Sequence, residues 1–209
     1  MNSIVKKVSD FVIEQFNSSL PKGITYHDLK HTKDVVKTSQ LIAKNCKINQ
    51  SQLEMLLIAA WFHDLGIIDH YTNHEKRSAE ICKKFLTNLN YPANKIITIS
   101  KIICSTKIPQ KPTNLLEKIL CDADISHMGE KKFIARSLLL RIEWENIINK
   151  KFSDLDWIKS NIEFIRHNNF QTKFAKNYYS EQRKKNLMNL KAKLKNYKIT
   201  PPPKQRSAS

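Results

Sequence analysis

Apolar residues recur along this chain with the period of a helix, and residues that end helices punctuate them. Ile4, Val8, Phe11, Val12 and Phe16 fall on one face, and Pro21-Lys22-Gly23 closes that segment. A second segment reads as helical from Tyr26 through Leu41 and Ile42 to about Cys46. If it is helical from its start, His27 and His31 project from the same side. The next helix opens at Ser51 and Glu54, a capping-box pair, and carries Leu53, Leu56, Leu57, Ala60 and Trp61 into His63 and Asp64. After Gly66 the chain turns, and Asn73 reads as the N-cap of a helix running from His74 to Leu86. Residues 93–104 follow Tyr91-Pro92 as a further helix, although their isoleucines would also suit a strand. Pro109 and Pro112 then enforce a loop, because each removes a backbone donor. Residues 115–126 are again an apolar helix that ends in acids, Asp122 and Asp124. Beyond Gly129 the pattern becomes amphipathic and polar over 131–150, 155–167 and 172–194, with no cluster of potential ligands, and the proline-rich tail reads as disordered.

Composition narrows the class. With three glycines, seven prolines and 41% hydrophobic residues, the chain favours helices over a turn-rich β architecture. Its 209 residues suit one domain, read here as 1–198 with a basic tail at 199–209. The longest apolar run, 55–62, is too short to cross a bilayer, and the first residues alternate charge with hydrophobes, so a cytoplasmic protein is expected. Cys46, Cys82, Cys104 and Cys121 are scattered, which indicates neither a zinc knuckle nor a disulfide framework. The net charge of +17 raises the question of nucleic acid. From Glu181 onward, however, nine Lys or Arg face one acid, so this end alone carries +8 and the rest is spread along helix faces. A basic surface would also steer small anions toward the protein.

The chemistry concentrates in the first half. His63 and Asp64 end a greasy helix, where an unpaired carboxylate would lose several kcal/mol of hydration. Taken alone, the pair is better explained as a capping carboxylate and a hydrogen-bonded core imidazole. Five of the seven histidines fall between His27 and His74, and histidine is not a preferred core residue. In chain order, His31, His63-Asp64 and one aspartate near 124 supply imidazole and carboxylate donors, a set that suits a divalent transition metal.

This order of motifs resembles the HD-domain superfamily of metal-dependent phosphohydrolases, over roughly residues 26–129. The resemblance implies an all-α, HD-domain-like helical bundle, and a divalent metal ion (Mn, Fe, Co, Ni, Mg or Zn), one per site, held by His31, His63, Asp64 and Asp124. Tyr26-His27, His31 and Ala123-Asp124-Ile125-Ser126 are similar to motifs of the class I cyclic nucleotide phosphodiesterases. That comparison selects Asp124 over Asp122 as ligand and gives His27 the role of acid for the departing oxygen. Asp122 is then a supporting or helix-end charge. Asn73-His74-Glu75 is similar to a segment of small bacterial HD proteins. A binuclear site would need further histidines, for which His70 and His74 are the nearby candidates.

The expected reaction is hydrolysis of a phosphoester of a small anionic, nucleotide-like substrate by metal-activated water, with Asp64 in the catalytic set. Glu75 is a candidate acceptor that orients a ligand or the water, and Arg77 and Lys107 are candidates for phosphate contact. The competing expectation is a non-catalytic module that binds nucleic acid, lipid or protein through its basic C-terminal region.

Overall fold

The computed structural model describes residues 3–199. The tail read as disordered lies outside them, apart from Ile199. Among the described residues the regular structure is entirely helical: α1 (Ser3–Ser19), α2 (Leu29–Cys46), α3 (Gln50–Phe62), α4 (His74–Asn88), α5 (Ala93–Cys104), α6 (Leu115–Asp124), α7 (Phe133–Ile147), α8 (Asp154–His167) and α9 (Lys173–Ile199). Short 3-10 turns at Leu65–Ile68 and Ser126–Gly129 follow α3 and α6. None of these helices is long and apolar enough to cross a membrane.

α3 is the axis of the bundle. Every residue from Leu56 to Phe62 is buried, because α1, α2, α4, α5 and α6 surround this helix. That enclosure explains an apolar run without a polar face. α5 is a helix and not a strand: Ile96, Ile99, Ile102 and Ile103 point into the core at helical spacing, while Ile97 stays exposed. One apolar cluster extends from Val5 in α1 to Leu190 in α9.

Two local readings are corrected and a third is refined. The capping box of α3 uses Asn49 and Gln52, not Ser51 and Glu54, and Glu54 instead accepts the Tyr91 hydroxyl at 2.5 Å. α2 begins at Leu29, so His27 precedes the helix and does not share a helical face with His31. Asn73 is the N-cap residue of α4, but in a left-handed conformation (φ 57°) and without a side-chain cap hydrogen bond; its Oδ1 accepts from Lys107 Nζ at 2.5 Å.

Gly66 decides how α4 approaches α3. Its amide donates to Ser78 Oγ at 2.8 Å, and a Cβ at this position would lie 2.3 Å from the His74 carbonyl oxygen and 2.6 Å from the Ser78 nitrogen. Only a residue without a side chain lets the start of α4, with His74, sit against the end of α3.

Candidate metal centre

Each candidate ligand stands at or next to the end of a helix, where a polar group can leave the core without interrupting it. His31 lies in the first turn of α2, and the N-cap Asp28 accepts its amide N–H at 2.7 Å. His63 and Asp64 follow α3, and Asp124 is the last residue of α6. One donor atom from each of His31, His63, Asp64 and Asp124 lies within 4.8 Å of the others. His31 Nε2 is 3.2 Å from Asp124 Oδ1, 3.3 Å from Asp64 Oδ2 and 3.4 Å from His63 Nε2.

Hydrogen bonding around this cluster determines what it can hold. The Ala60 carbonyl, 2.8 Å from His63 Nδ1, can only accept, so that nitrogen carries the proton. Nε2, across the ring, faces the carboxylates. Asp64 Oδ2 is buried and takes no aligned hydrogen bond, although His63 Nε2 and His31 Nε2 stand 3.0 and 3.3 Å away. Lone pairs gathered in a buried space repel unless positive charge lies among them. A divalent cation with nitrogen and oxygen donors fits that demand. A proton on His31 answers the same demand: burial opposes its charge, but the adjacent Asp124 and Asp64 carboxylates outweigh burial and push its pKa up to about 9. Burial likewise works against ionised Asp64, yet His63, His31 and His74 hold its carboxyl well below the usual range.

The HD domain family model matches residues 28–129, the stretch that holds this cluster. This is an HD-domain protein. Two solved structures share its fold over almost the whole chain. A predicted HD superfamily hydrolase from an uncultured Thermotogales bacterium is 22% identical, with a TM-score of 0.62 and 92% of each chain covered. A protein from Lactobacillus plantarum is 16% identical, with a TM-score of 0.72, over 96% of this chain and 99% of that one. No curated protein matches the chain by sequence.

Around the cluster, the HD-domain chain supplies a second layer of contacts. Gln110, in the proline-bounded loop, donates to Asp124 Oδ2 at 3.2 Å and so steadies the second oxygen of that carboxylate. His74 donates from Nδ1 to the Tyr71 carbonyl at 2.8 Å and sets Nε2 3.4 Å from Asp64 Oδ1. Burial opposes its charge too, but the hydrogen bond with Asp64 raises its pKa to about 9. His70 is exposed and stands apart.

His27 is brought to the site by a residue that the sequence reading passed over. Glu143, fully buried in α7, accepts the consecutive amides of Thr25, Tyr26 and His27 at 2.9, 2.7 and 3.0 Å through Oε2. Its Oε1 accepts from His27 Nδ1 and, at 2.9 Å, from the Tyr71 hydroxyl. Desolvation alone would raise the pKa of Glu143, but the His27 interaction and these amides lower it to about 2. The half of the chain expected to hold only polar amphipathic helices therefore positions a site residue. A signal was there: Glu143 lies on the helical stripe of Phe133, Leu140 and Trp144. His127, also passed over, lies 3.2 Å through Nδ1 from the Tyr26 hydroxyl, and burial followed by the charge of His31 lowers its pKa to about 3.

Asp122 faces away from Asp124. Its carboxylate accepts from the amides of Gln171 and Thr172 at 2.6 and 2.8 Å and from Thr172 Oγ1 at 2.7 Å, just before α9. Glu75 and Lys107 line the cavity beside the cluster, and Glu75 Oε1 is 3.8 Å from His74 Nε2. Arg77 does not line it. Its guanidinium is turned to the surface, 2.8 Å from Asp69 and 3.3 Å from Glu80, which removes the ground for a phosphate contact.

Proposed function

We propose that this HD-domain protein is a metal-dependent phosphohydrolase acting on a phosphoester of a small, nucleotide-like anion. The observation that carries the reading is the donor set itself, with His31, His63, Asp64 and Asp124 gathered within 4.8 Å around facing lone pairs. Likeness to the Thermotogales protein, a predicted HD superfamily hydrolase, supports the reaction class. A divalent cation bound there would supply Lewis acidity toward water and a phosphoryl oxygen.

The remaining roles fall to side chains of the chain. Glu143 is ionised at any pH above about 2 and can only accept, so His27 Nδ1 carries its proton toward Glu143. Nε2, across the ring, is the atom that would hold a proton for the departing alcohol oxygen. Tyr71 shares the same carboxylate oxygen and limits rotation of the pair. Lys107, tethered to Asn73, would meet a phosphoryl oxygen at the cavity wall. Glu75 would steady the His74 imidazole.

Formation of the monophosphate from cyclic nucleotides, and of nucleoside, phosphate or polyphosphate from nucleoside monophosphates and triphosphates, with Mn, Mg, Co, Ni, Zn or Fe(II), tests the reading. Metal-dependent turnover that disappears in Asp64→Ala sustains it. A wild-type protein that takes up no metal and cleaves nothing on the panel overturns it.

A further inference from the structure

The cavity that starts at the ligand cluster continues well beyond it. It encloses about 320 Å³ and reaches from Asp64 and Asp124 into a chamber walled by Phe133, Leu140, Trp144 and Phe164. α7 and α8 build that chamber, and their rings brace one another. Trp144 meets Trp157 edge-on with centroids 5.8 Å apart, and the His127 ring lies nearly parallel to Phe133 and Phe164, 5.8 Å from each. Such walls offer dispersion and stacking to a flat group, and little to a hydrated anion.

Charge points the same way. Among the described residues that line the cavity, Lys107 is the only lysine or arginine, whereas Glu75 adds a carboxylate to the lining. Di- and triphosphate chains carry several charges and call for several guanidinium, ammonium or amide donors. One lysine beside one divalent cation matches one phosphoryl group. The volume is at the small end of ligand sites, which run from about 300 to 1,000 Å³, so a nucleoside-sized body is the upper limit.

We infer that this chamber takes the flat, apolar body of the substrate, and that the substrate class is a small ester with a single phosphoryl group on an aromatic or nucleobase-like body, not a polyphosphate. The inference rests on the phosphohydrolase reading of the adjoining centre.

Binding to the full chain, followed by calorimetry and tryptophan fluorescence in excess Mg(II), tests it with two pairs of probes. Phenylphosphonate is expected to bind at least about tenfold more tightly than methylphosphonate, since only the former buries a ring. Adenosine monophosphate is expected to bind at least as tightly as adenosine triphosphate. In Trp144→Ala the phenyl preference should fall to about parity. Ser160→Trp, at an exposed position of the chamber lining, should abolish the preference by filling the space without disturbing the core. Equal binding of the two phosphonates, tighter binding of the triphosphate, or a phenyl preference that survives both substitutions overturns the inference. Phosphate release from phenyl phosphate is scored separately. A phenyl preference without turnover of any ester keeps the chamber and sinks the phosphohydrolase reading, whereas turnover without the preference does the reverse.

Discussion

At one end of the cavity stand two imidazoles and two carboxylates from α2, the end of α3 and α6; at the other stand Trp144, Trp157, Phe133 and Phe164 from α7 and α8. The first end consists of polar groups whose directions are set by hydrogen bonds to fixed backbone atoms, such as His63 Nδ1 to the Ala60 carbonyl. A buried group of that kind is either satisfied or costly, so a single atom changed there has a steep effect. The second end is held by area and shape, where losses scale with the surface removed. Glu143 belongs to both: its helix walls the chamber, while its carboxylate holds His27 at the polar end.

Substitution at the ligands should break the polar end outright. Asp64→Ala and Asp124→Asn are expected to abolish stoichiometric metal uptake, read by elemental analysis, and to lower turnover by at least about 1,000-fold, the scale of losing metal activation. Retention of metal by both variants would remove the cluster from consideration. Gly66→Ala tests whether the polar end depends on a close approach between helices. The new Cβ meets backbone atoms at 2.3 and 2.6 Å, so a loss of roughly 3 kcal/mol is expected in denaturant unfolding. An unchanged midpoint would mean that α4 gives way freely.

Glu143→Gln sharpens the comparison at the shared residue. Turnover should fall by about 100-fold with little change in KM, and an ester with an acidic leaving group should recover much of it, because general-acid help then matters less. Stability supplies a second readout. The folded-state pKa of Glu143, about 2, lies below its ordinary value of 4.5, so the unfolded chain takes up the proton first as pH falls. The stabilisation is present above about pH 4.5 and is lost as pH falls through about 2, amounting to roughly 3 kcal/mol in the wild type and absent from the variant. Parallel stability curves for the two proteins would contradict this.

Asp122→Asn should cost less, about 1 to 2 kcal/mol, through weaker bonds to the Gln171 and Thr172 amides, and should leave metal affinity alone. Weakened metal binding would place Asp122 in the ligand set after all. Smallest is Arg77→Ala, where loss of exposed pairs to Asp69 and Glu80 should change stability by under about 0.5 kcal/mol and KM not at all.

Much of the helical framework, and the four residues of the His/Asp cluster, could be read from the chain before any packing was known. Helical spacing marks α1, α3 and α6, and the passage from an apolar run to His63-Asp64 or Asp124 marks where polar groups leave the core. Errors arose where a short stretch admits two local solutions, as with Asn49 and Ser51 for the cap of α3, or Tyr26 and Leu29 for the start of α2. Arg77 meets Asp69 and Glu80 at the surface, a pairing that a cation's closeness in sequence to a site does not indicate.

The sequence by itself determined periodicity, the order of donors along the chain and the scarcity of strand-forming pattern, all of which are local properties expressed over a few turns of helix. Tertiary structure alone decided that Asp124 faces the cluster while Asp122 holds the start of α9, since both are the same residue type near one helix end and only the packing of α9 separates them. It decided likewise that Glu143 reaches back to Thr25, Tyr26 and His27, and that five aromatic rings of α7, α8 and the segment between α6 and α7 enclose a chamber next to the ligands. Those pairings join residues far apart in the chain, and no period within a single helix encodes which face of another helix it will meet.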